Sequence, residues 1–535
     1  MTSTLLIAAV IIIACVLGHK LSSRLGIPML LVFILLGMFF GSDGLVKIYF
    51  DDFDFAEKIC SAALIFIMFY GGFGTKWSTA RPIVSKATLL STVGVVLTAA
   101  ITALFCHYAL HIGLLESFLI GSVVSSTDAA SVFSILRSKR LNLKDNTASL
   151  LEVESGSNDP FSYMLTVIVL AFMQGEQSGS SIAYMVFAQL IYGIGFGVLL
   201  AVLTIWILKR LRLPAMGFDA VLVFALVLLS YAAPAALGGN GYLSTYIFGI
   251  ILGNSSLKNK KSLVHFFDGL TGLMQMLVFF LLGLLSFPSQ LPSVMLPALL
   301  TALFLTLVAR PATVFLLLTP FRCRLRQQLL ISFAGLRGAA SIVFAIMVMT
   351  SSASTDNDVF HFVFFIVLFS ILLQGSLLPF AAKKLDMLDA SSDVMKTFND
   401  YSDEIPLQFI EFRIPEGHSW VDKAVCDIQL PPETLLVRLL RGQEQITPEG
   451  NTVLQAQDTL ILGAQASNMG NDVQLTELVL DENHNWIGKT MAQITLGPEK
   501  LIVMILRGDE MIIPNGKTVL QQADTLVILH TQERG

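Results

Sequence analysis

The sequence predicts a polytopic α-helical membrane protein of about thirteen transmembrane helices, followed by a cytoplasmic α+β part built as tandem modules. Three observations predict it. Of the 535 residues, 54% are hydrophobic and only 14% charged, whereas a soluble domain carries roughly a quarter charged residues. From Met1 to about Leu385 the apolar residues recur in blocks of roughly 17–25, the length a helix needs to cross the hydrocarbon core. Beyond 403 the chain repeats itself at a constant offset of 66 residues. The resulting division is a membrane domain over 1–385, a polar linker over 386–403, and modules over 404–468 and 469–535.

Apolar spans fall near 4–19, 28–45, 57–74, 86–108, 113–136, 147–173, 181–208, 218–237, 241–256, 264–287, 292–319, 327–350 and 358–382. The first, STLLIAAVIIIACVLG, looks like the apolar part of a signal peptide. It lacks a basic leader and an A-x-A site and is followed by more spans, so it reads as a retained first helix. The loops test the count. Lys20 and Arg24 follow the first span, Lys76 and Arg81 the third, Lys139 and Lys144 the fifth, and Lys209 and Arg210 the seventh. Lys260 and Lys261 follow the ninth, Arg322, Arg324 and Arg326 the eleventh, and Lys383 and Lys384 the last. Loops after even-numbered spans carry acids instead, among them Asp51, Asp52, Glu176 and Asp356. This alternation places the N-terminus outside and the C-terminal modules in the cytoplasm of a cell with this protein in its (inner) membrane.

The net charge of −5 gives no support to nucleic-acid binding, and no nucleic-acid partner is expected. Cys15, Cys60, Cys106, Cys323 and Cys426 lie far apart, without a CxxC pair or a His at metal-ligand spacing, and read as buried, inert thiols.

An ionisable group at bilayer depth costs several kcal/mol unless paired, hydrated or protonated, so it marks function. Three spans carry such groups. The fifth contains GSVVSSTDAASVF with Thr127 and Asp128. The sixth contains LEVESGSNDPFSYM with Glu152, Glu154, Ser155, Asn158, Asp159 and Pro160, and the twelfth contains SFAGLRGAASIVF with Arg337. Glu154 and Asn158 share one face of the sixth helix, with Ser155 and Asp159 on the adjoining stripe. Pro160 deprives a carbonyl one turn earlier of its donor and predicts a bend. Ser155 suits an interhelical hydrogen bond as well as it suits a ligand role, but packing alone does not require a carboxylate such as Asp159.

D-A-A-S at Asp128–Ser131 and G-A-A-S at Gly338–Ser341 occupy corresponding positions seven spans apart. An odd offset reverses direction, so spans one to six match eight to thirteen as an inverted repeat. In such folds two interrupted helices cross near the midplane and face an ion site. Arg337 stays protonated and needs a carboxylate; Glu154 is the expected partner in a core ion pair. That leaves Asp159 without a fixed counter-charge, able to trade a proton for a cation near neutrality. One carboxylate alternately protonated and cation-bound implies one proton per cation, hence electroneutral exchange.

Together, SSTDAASVF, ESGSNDP and GLRGAAS resemble the monovalent cation:proton antiporter-1 family, the NhaP-type and sodium/proton exchanger group. The resemblance spans the membrane part. It implies a dimerisation domain and a moving core domain, homodimers in lipid, and alternating access at Asp159 beside Asn158. It also implies that Ser155 and Thr127 coordinate the cation with Asp159, that Asp128 lies at the helix crossing, and that Glu154 and Arg337 form the core pair. Some relatives carry an acidic residue near the third-span glycines, where this chain has Tyr70 and Phe73.

In the cytoplasmic part Trp420 matches Trp486, Arg441 matches Arg507 and Asp458 matches Asp524. LLVRLLRG and LIVMILRG read as strands, TPEG and IPNG as turns, and DTLIL and DTLVI as further strands, giving a β-hairpin per copy. Each copy resembles the TrkA-C module of potassium-conductance regulators. That likeness implies pairing or a nucleotide-type regulatory ligand and tilts the cation toward K⁺ over Na⁺. No phosphate-binding loop occurs, no cofactor is required, and no catalytic constellation is legible, so an enzyme is not expected. The alternative is a regulated cation channel, whose filter would have to be Phe69–Gly74 (FYGGFG).

Overall fold

The computed structural model describes residues 2–25, 28–138, 141–175, 179–210, 217–257, 260–287 and 291–389. In the C-terminal part it describes 407–430, 434–442, 444–465, 473–481, 484–494, 500–507, 510–512 and 514–531. The linker expected over 386–403 lies outside the described residues from 390 onward. Two compact units form, Met1–Asp403 and Glu404–Gly535.

The first unit is helical: α1 (Thr2–Leu25), α2 (Met29–Phe40), α3 (Phe53–Gly74), α4 (Trp77–Ala80), α5 (Val84–Ser91), α6 (Val93–Leu110), α7 (Leu114–Val123), α8 (Ala129–Ser138), α9 (Thr147–Gln174) and α10 (Gly179–Arg210). It continues with α11 (Phe218–Ala235), α12 (Gly241–Gly253), α13 (Lys260–Leu284), α14 (Leu291–Phe304), α15 (Arg310–Leu318), α16 (Leu325–Phe333), α17 (Ala339–Thr350), α18 (Val359–Phe369) and α19 (Ser376–Lys384). π-Turns at Leu305–Ala309 and Ser370–Gly375 join α14 to α15 and α18 to α19. Among the described residues six stretches are long and apolar enough to cross a bilayer by length and composition: Val84–Leu110, Ser181–Arg210, Phe218–Ala235, Lys260–Leu284, Val294–Phe321 and Val359–Lys384. Phe69–Gly74 lies within α3, so the stretch a channel filter would need is helical.

The fifth and twelfth predicted spans are both interrupted. Residues 124–128 separate α7 from α8, and 334–338 separate α16 from α17. The breaks touch, for the Asp128 amide donates to the Leu336 carbonyl at 2.7 Å. A second feature obeys the inverted repeat. At Gly37 an added Cβ would lie 2.2 Å from the Phe280 carbonyl oxygen, and at Gly283 2.1 Å from that of Ile34, so α2 and α13 meet backbone to backbone. At Gly72 it would lie 2.3 Å from the Tyr246 carbonyl oxygen, and at Gly249 2.3 Å from that of Phe69. The pair α3–α12 is what a seven-span offset makes of α13–α2. Only glycine permits either approach.

The loop ends sort into two groups. Asp386, after α19, receives Lys144 at 3.0 Å and Arg326 at 3.2 Å, and Arg324 reaches Asp145 at 3.2 Å. These loops follow the fifth, eleventh and thirteenth predicted spans, all odd. At the opposite end of the helices, Glu116 in the first turn of α7 accepts from the Asn357 amide at 2.8 Å and its side-chain nitrogen at 2.9 Å, joining the start of the fifth predicted span to the loop after the twelfth.

In the second unit, β1 (Leu407–Arg413), β2 (Thr434–Arg441), β3 (Glu444–Ile446) and β4 (Thr459–Gln465) form a sheet of order β1-β4-β2-β3. β5 (Val473–Val479), β6 (Lys500–Arg507), β7 (Glu510–Ile512) and β8 (Thr525–Thr531) repeat it as β5-β8-β6-β7. The register repeats residue for residue: Leu407 faces Gln465 and Val473 faces Thr531. The sequence reading missed the first strand of each copy, and the tight hairpin is β2–β3. Among the described residues the helices here are only 3₁₀ turns, Val425–Asp427 and Met491–Gln493, less than the expected α+β content. Cys426 is exposed, contrary to the expectation of buried thiols.

Each module core is pinned by a buried carboxylate. Arg441 reaches Asp458 at 2.7 Å and 2.9 Å, and Arg507 reaches Asp524 at 2.8 Å through both oxygens. The Arg507 bonds hold the Asp524 carboxyl below the usual range; at Asp458 burial opposes ionisation, but the Arg441 bonds outweigh it. A depressed folded-state value gives stability that is complete above the unfolded value, near 3.9, and lost as pH falls through the folded one. The modules should therefore open below about pH 4. Tryptophan fluorescence of Trp420 and Trp486, with Trp77 and Trp206 replaced by Phe, should report the transition. Arg507→Met should move it to higher pH.

Candidate ion-exchange site

The site is built where α9 passes the break between α7 and α8. Asp159 lies near the middle of the 28-residue α9, is 6% exposed, and accepts a hydrogen bond from the Ser126 hydroxyl. Asn158 donates to the Thr127 hydroxyl at 2.6 Å and accepts from the Thr127 amide at 3.4 Å. Ser155 donates to the Thr127 carbonyl and accepts from the Ala129 amide, both at 2.8 Å. One stripe of α9 thus supplies partners to backbone groups that the broken helix leaves without their own. Asp128 accepts from the Ser131 hydroxyl at 2.5 Å and from its amide at 3.3 Å. An added Cβ on Gly338 would lie 2.2 Å from an Asp128 oxygen, so glycine there seats the carboxylate at the start of α17. All five residues read from the sequence as ion or proton ligands gather around one crossing.

The expected core ion pair takes a different form. Glu154 is paired with Arg310, Nη2 to Oε1 at 2.5 Å, with side chains 1% and 3% exposed. Arg337 instead donates through Nη1 to the Ser126 carbonyl at 2.7 Å, and its amide donates to the Ser370 hydroxyl at 3.0 Å. The physical reason lies in what each guanidinium meets. Arg337 sits in a break, where an unwound carbonyl is free to accept. Arg310 begins α15 directly after the π-turn, inside a continuous helical stretch, and the buried acceptor its guanidinium meets is the Glu154 carboxylate.

Two residues escaped sequence reasoning. Arg310 stands inside the eleventh apolar span, LTLVARPATVF, and the rule that flagged Arg337 flags it equally. Ser126 precedes Thr127 in the same polar run, and only the turn of the unwound backbone decides which hydroxyl meets Asp159. Tyr70, where some relatives carry an acid, donates its hydroxyl to Asp268 on α13 at 2.8 Å. α9 continues through Pro160 as one helix, and the Pro160 carbonyl accepts from the Asn240 side chain at 2.8 Å.

Residues 7–384 match the transmembrane family of sodium/hydrogen exchangers, which is most of the chain. The chain belongs to the sodium/hydrogen exchanger family. Residues 409–470 and 475–534 each match the TrkA-C domain. Among exchanger relatives, the K(+)/H(+) antiporter NhaP2 of Shewanella baltica is 34% identical over 87% of this chain and 81% of its own. The K(+)/H(+) antiporter NhaP of Alkalimonas amylolytica is 33% identical over 86% and 80%. The fold is that of the sodium proton antiporter MjNhaP1 from Methanocaldococcus jannaschii. That structure superposes with a TM-score of 0.63 at 24% identity, covering 71% of this chain and 99% of MjNhaP1.

Proposed function

We propose that this chain exchanges K⁺ for H⁺ electroneutrally across the cell membrane, as a homodimer, with Asp159 as the single carboxylate that carries either ion. The observation that carries the reading is a buried carboxylate at a helix crossing, with no Lys or Arg paired to it among the described residues. Such a group is neutral with a proton and equally neutral with a monovalent cation, so each passage moves no net charge. Thr127, Ser155, Ser126 and the carbonyls of residues 124–128 are oxygen donors within the same crossing, suited to a dehydrated cation. Access alternates as the helices carrying the crossing move relative to α3 and α12. K⁺ is favoured over Na⁺ by the names of the relatives and by the TrkA-C modules. Proteoliposomes with an internal pH dye, given Na⁺, K⁺, Li⁺ or Rb⁺, test the reading. K⁺ should give the largest exchange, and a membrane potential generated by transport would overturn the electroneutral cycle.

The modules sense a cytoplasmic ligand, of nucleotide type, and set the rate. Supporting this, the last described residues before them are clasped to the membrane unit. Lys144 donates its amide to the Met387 carbonyl at 2.9 Å, and Asp389 donates to the Asn142 carbonyl at 3.0 Å. The loop leading into α9 is therefore tied to the segment leading to the modules. Deletion from Tyr401 onward is expected to abolish nucleotide binding and every nucleotide-dependent change in rate. Unchanged regulation without the modules would sink the sensor role.

A further inference from the structure

Between α11 and α12 the chain runs Gly238-Gly239-Asn240-Gly241. Asn240 is 2% exposed and every polar atom of its side chain is committed. Its Oδ1 accepts from the Leu243 amide at 3.0 Å, capping α12, while its Nδ2 donates to the Pro160 carbonyl at 2.8 Å and lies 3.4 Å from Gln189 Oε1 on α10. Its own amide donates to the Gln189 carbonyl at 3.2 Å. The flanking glycines are dictated by crowding. An added Cβ at Gly239 would lie 2.6 Å from Tyr192, and at Gly241 2.5 Å from Tyr231. The loop is thus wedged at mid-height of α9, one residue beyond Asp159. Next to it Tyr242 packs on Tyr163 and Tyr231 with centroids 5.1 Å and 4.9 Å apart, one turn along α9 from the carboxylate.

We propose that Asn240 is a positioning residue for exchange, an amide latch that fixes the Asp159 turn of α9 against α12 and must release when α9 moves. The inference rests on the reading of Asp159 as the exchange site under alternating access. A helical carbonyl already serves its own helix, so a second donor from another helix adds cohesion without being needed for helicity. A bond present in one conformer and lost in the other biases the equilibrium between them, and the apparent affinity of whichever ligand that conformer binds.

Two substitutions isolate the latch, because serine and aspartate both cap helices as asparagine does. Asn240→Ser keeps the cap and removes the cross-helix donor. Asn240→Asp keeps the cap and sets an acceptor against a carbonyl, except when the introduced carboxyl is protonated and donates again. In proteoliposomes of the full chain, Asn240→Ser is expected to shift the apparent KM for K⁺ by about two- to five-fold at every pH, the scale of one neutral hydrogen bond. Asn240→Asp should shift KM further at neutral pH and return toward wild type as pH falls. Both should melt in detergent close to wild type. Wild-type KM and pH profile in both variants overturns the proposal, as does loss of folded protein in both, which would make the contact structural. Asp159 is intact in these variants. Retained exchange in Asp159→Asn would instead break the underlying reading, so the two failures are distinguishable.

Discussion

Asn in place of Asp159 is expected to reduce cation-driven proton movement by on the order of 100-fold or more, because in the proposed cycle Asp159 is the carboxylate that carries either ion. The substitution is nearly isosteric. Its Oδ1 can still accept the Ser126 hydroxyl, so the link between α9 and the unwound segment survives. Detergent melting temperature should therefore stay near wild type while transport fails. Asp159→Glu should retain the charge but misplace it against the short chain of contacts through Ser126, with a weaker apparent affinity and residual exchange. If Asp159→Asn kept wild-type exchange of any of Na⁺, K⁺, Li⁺ or Rb⁺, the carrier would have to be sought elsewhere. Asp128 would be the first candidate, since it lies at the same crossing.

Much of this site was legible because membranes penalise polar groups so heavily. A carboxylate in an apolar span stands out without any alignment, and Asp159, Asp128 and Glu154 were all found that way. The broken helices were legible for a related reason. Two runs of small residues with a charge at mid-depth recur an odd number of spans apart, and few topologies other than an inverted repeat produce that. Pairing was the part that sequence did not determine. Glu154 and Arg310 are 156 positions apart, and nothing local says that Arg310, rather than Arg337, reaches the carboxylate. The choice depends on which guanidinium has an unwound carbonyl within reach, and that is set by where the two breaks touch. Hydroxyl choice is similar: Ser126 and Thr127 are adjacent, and outside a regular helix no periodicity assigns their directions. In the modules the repeat was plain, but β1 and β5 border linker-like sequence and pair with a strand some fifty residues onward, as Leu407 does with Gln465. Such a partner leaves no local signature, so the two strands read as a hairpin do pair, as β2 with β4, but β1, β3 and half the sheet order were missed.

The correction from Arg337 to Arg310 makes the second large prediction. Glu154→Gln or Arg310→Gln, each alone, should cost about 3–5 kcal/mol, because each strands a buried charge. Either single variant is expected to reach the membrane in low yield and to melt far below wild type in detergent. Replacing both charges with apolar groups, Glu154→Leu with Arg310→Met, should recover much of that stability, since a buried ion pair and a well-packed hydrophobic pair are often comparable. A Cβ added at Gly335 would lie 3.0 Å from Arg310 Nε, so the arginine stem runs close over that glycine and the methionine has a surface to pack on. The same double substitution made with Arg337, Glu154→Leu with Arg337→Met, should not recover, because it leaves Arg310 buried without its carboxylate and the Ser126 carbonyl without its donor. Recovery of Glu154→Leu by Arg337→Met and not by Arg310→Met would restore the pairing read from the sequence. With Arg310 as partner, Arg337 is released for a different task. Through the Ser126 carbonyl it holds the residue whose hydroxyl meets Asp159, so Arg337→Gln should disturb exchange more than it disturbs stability.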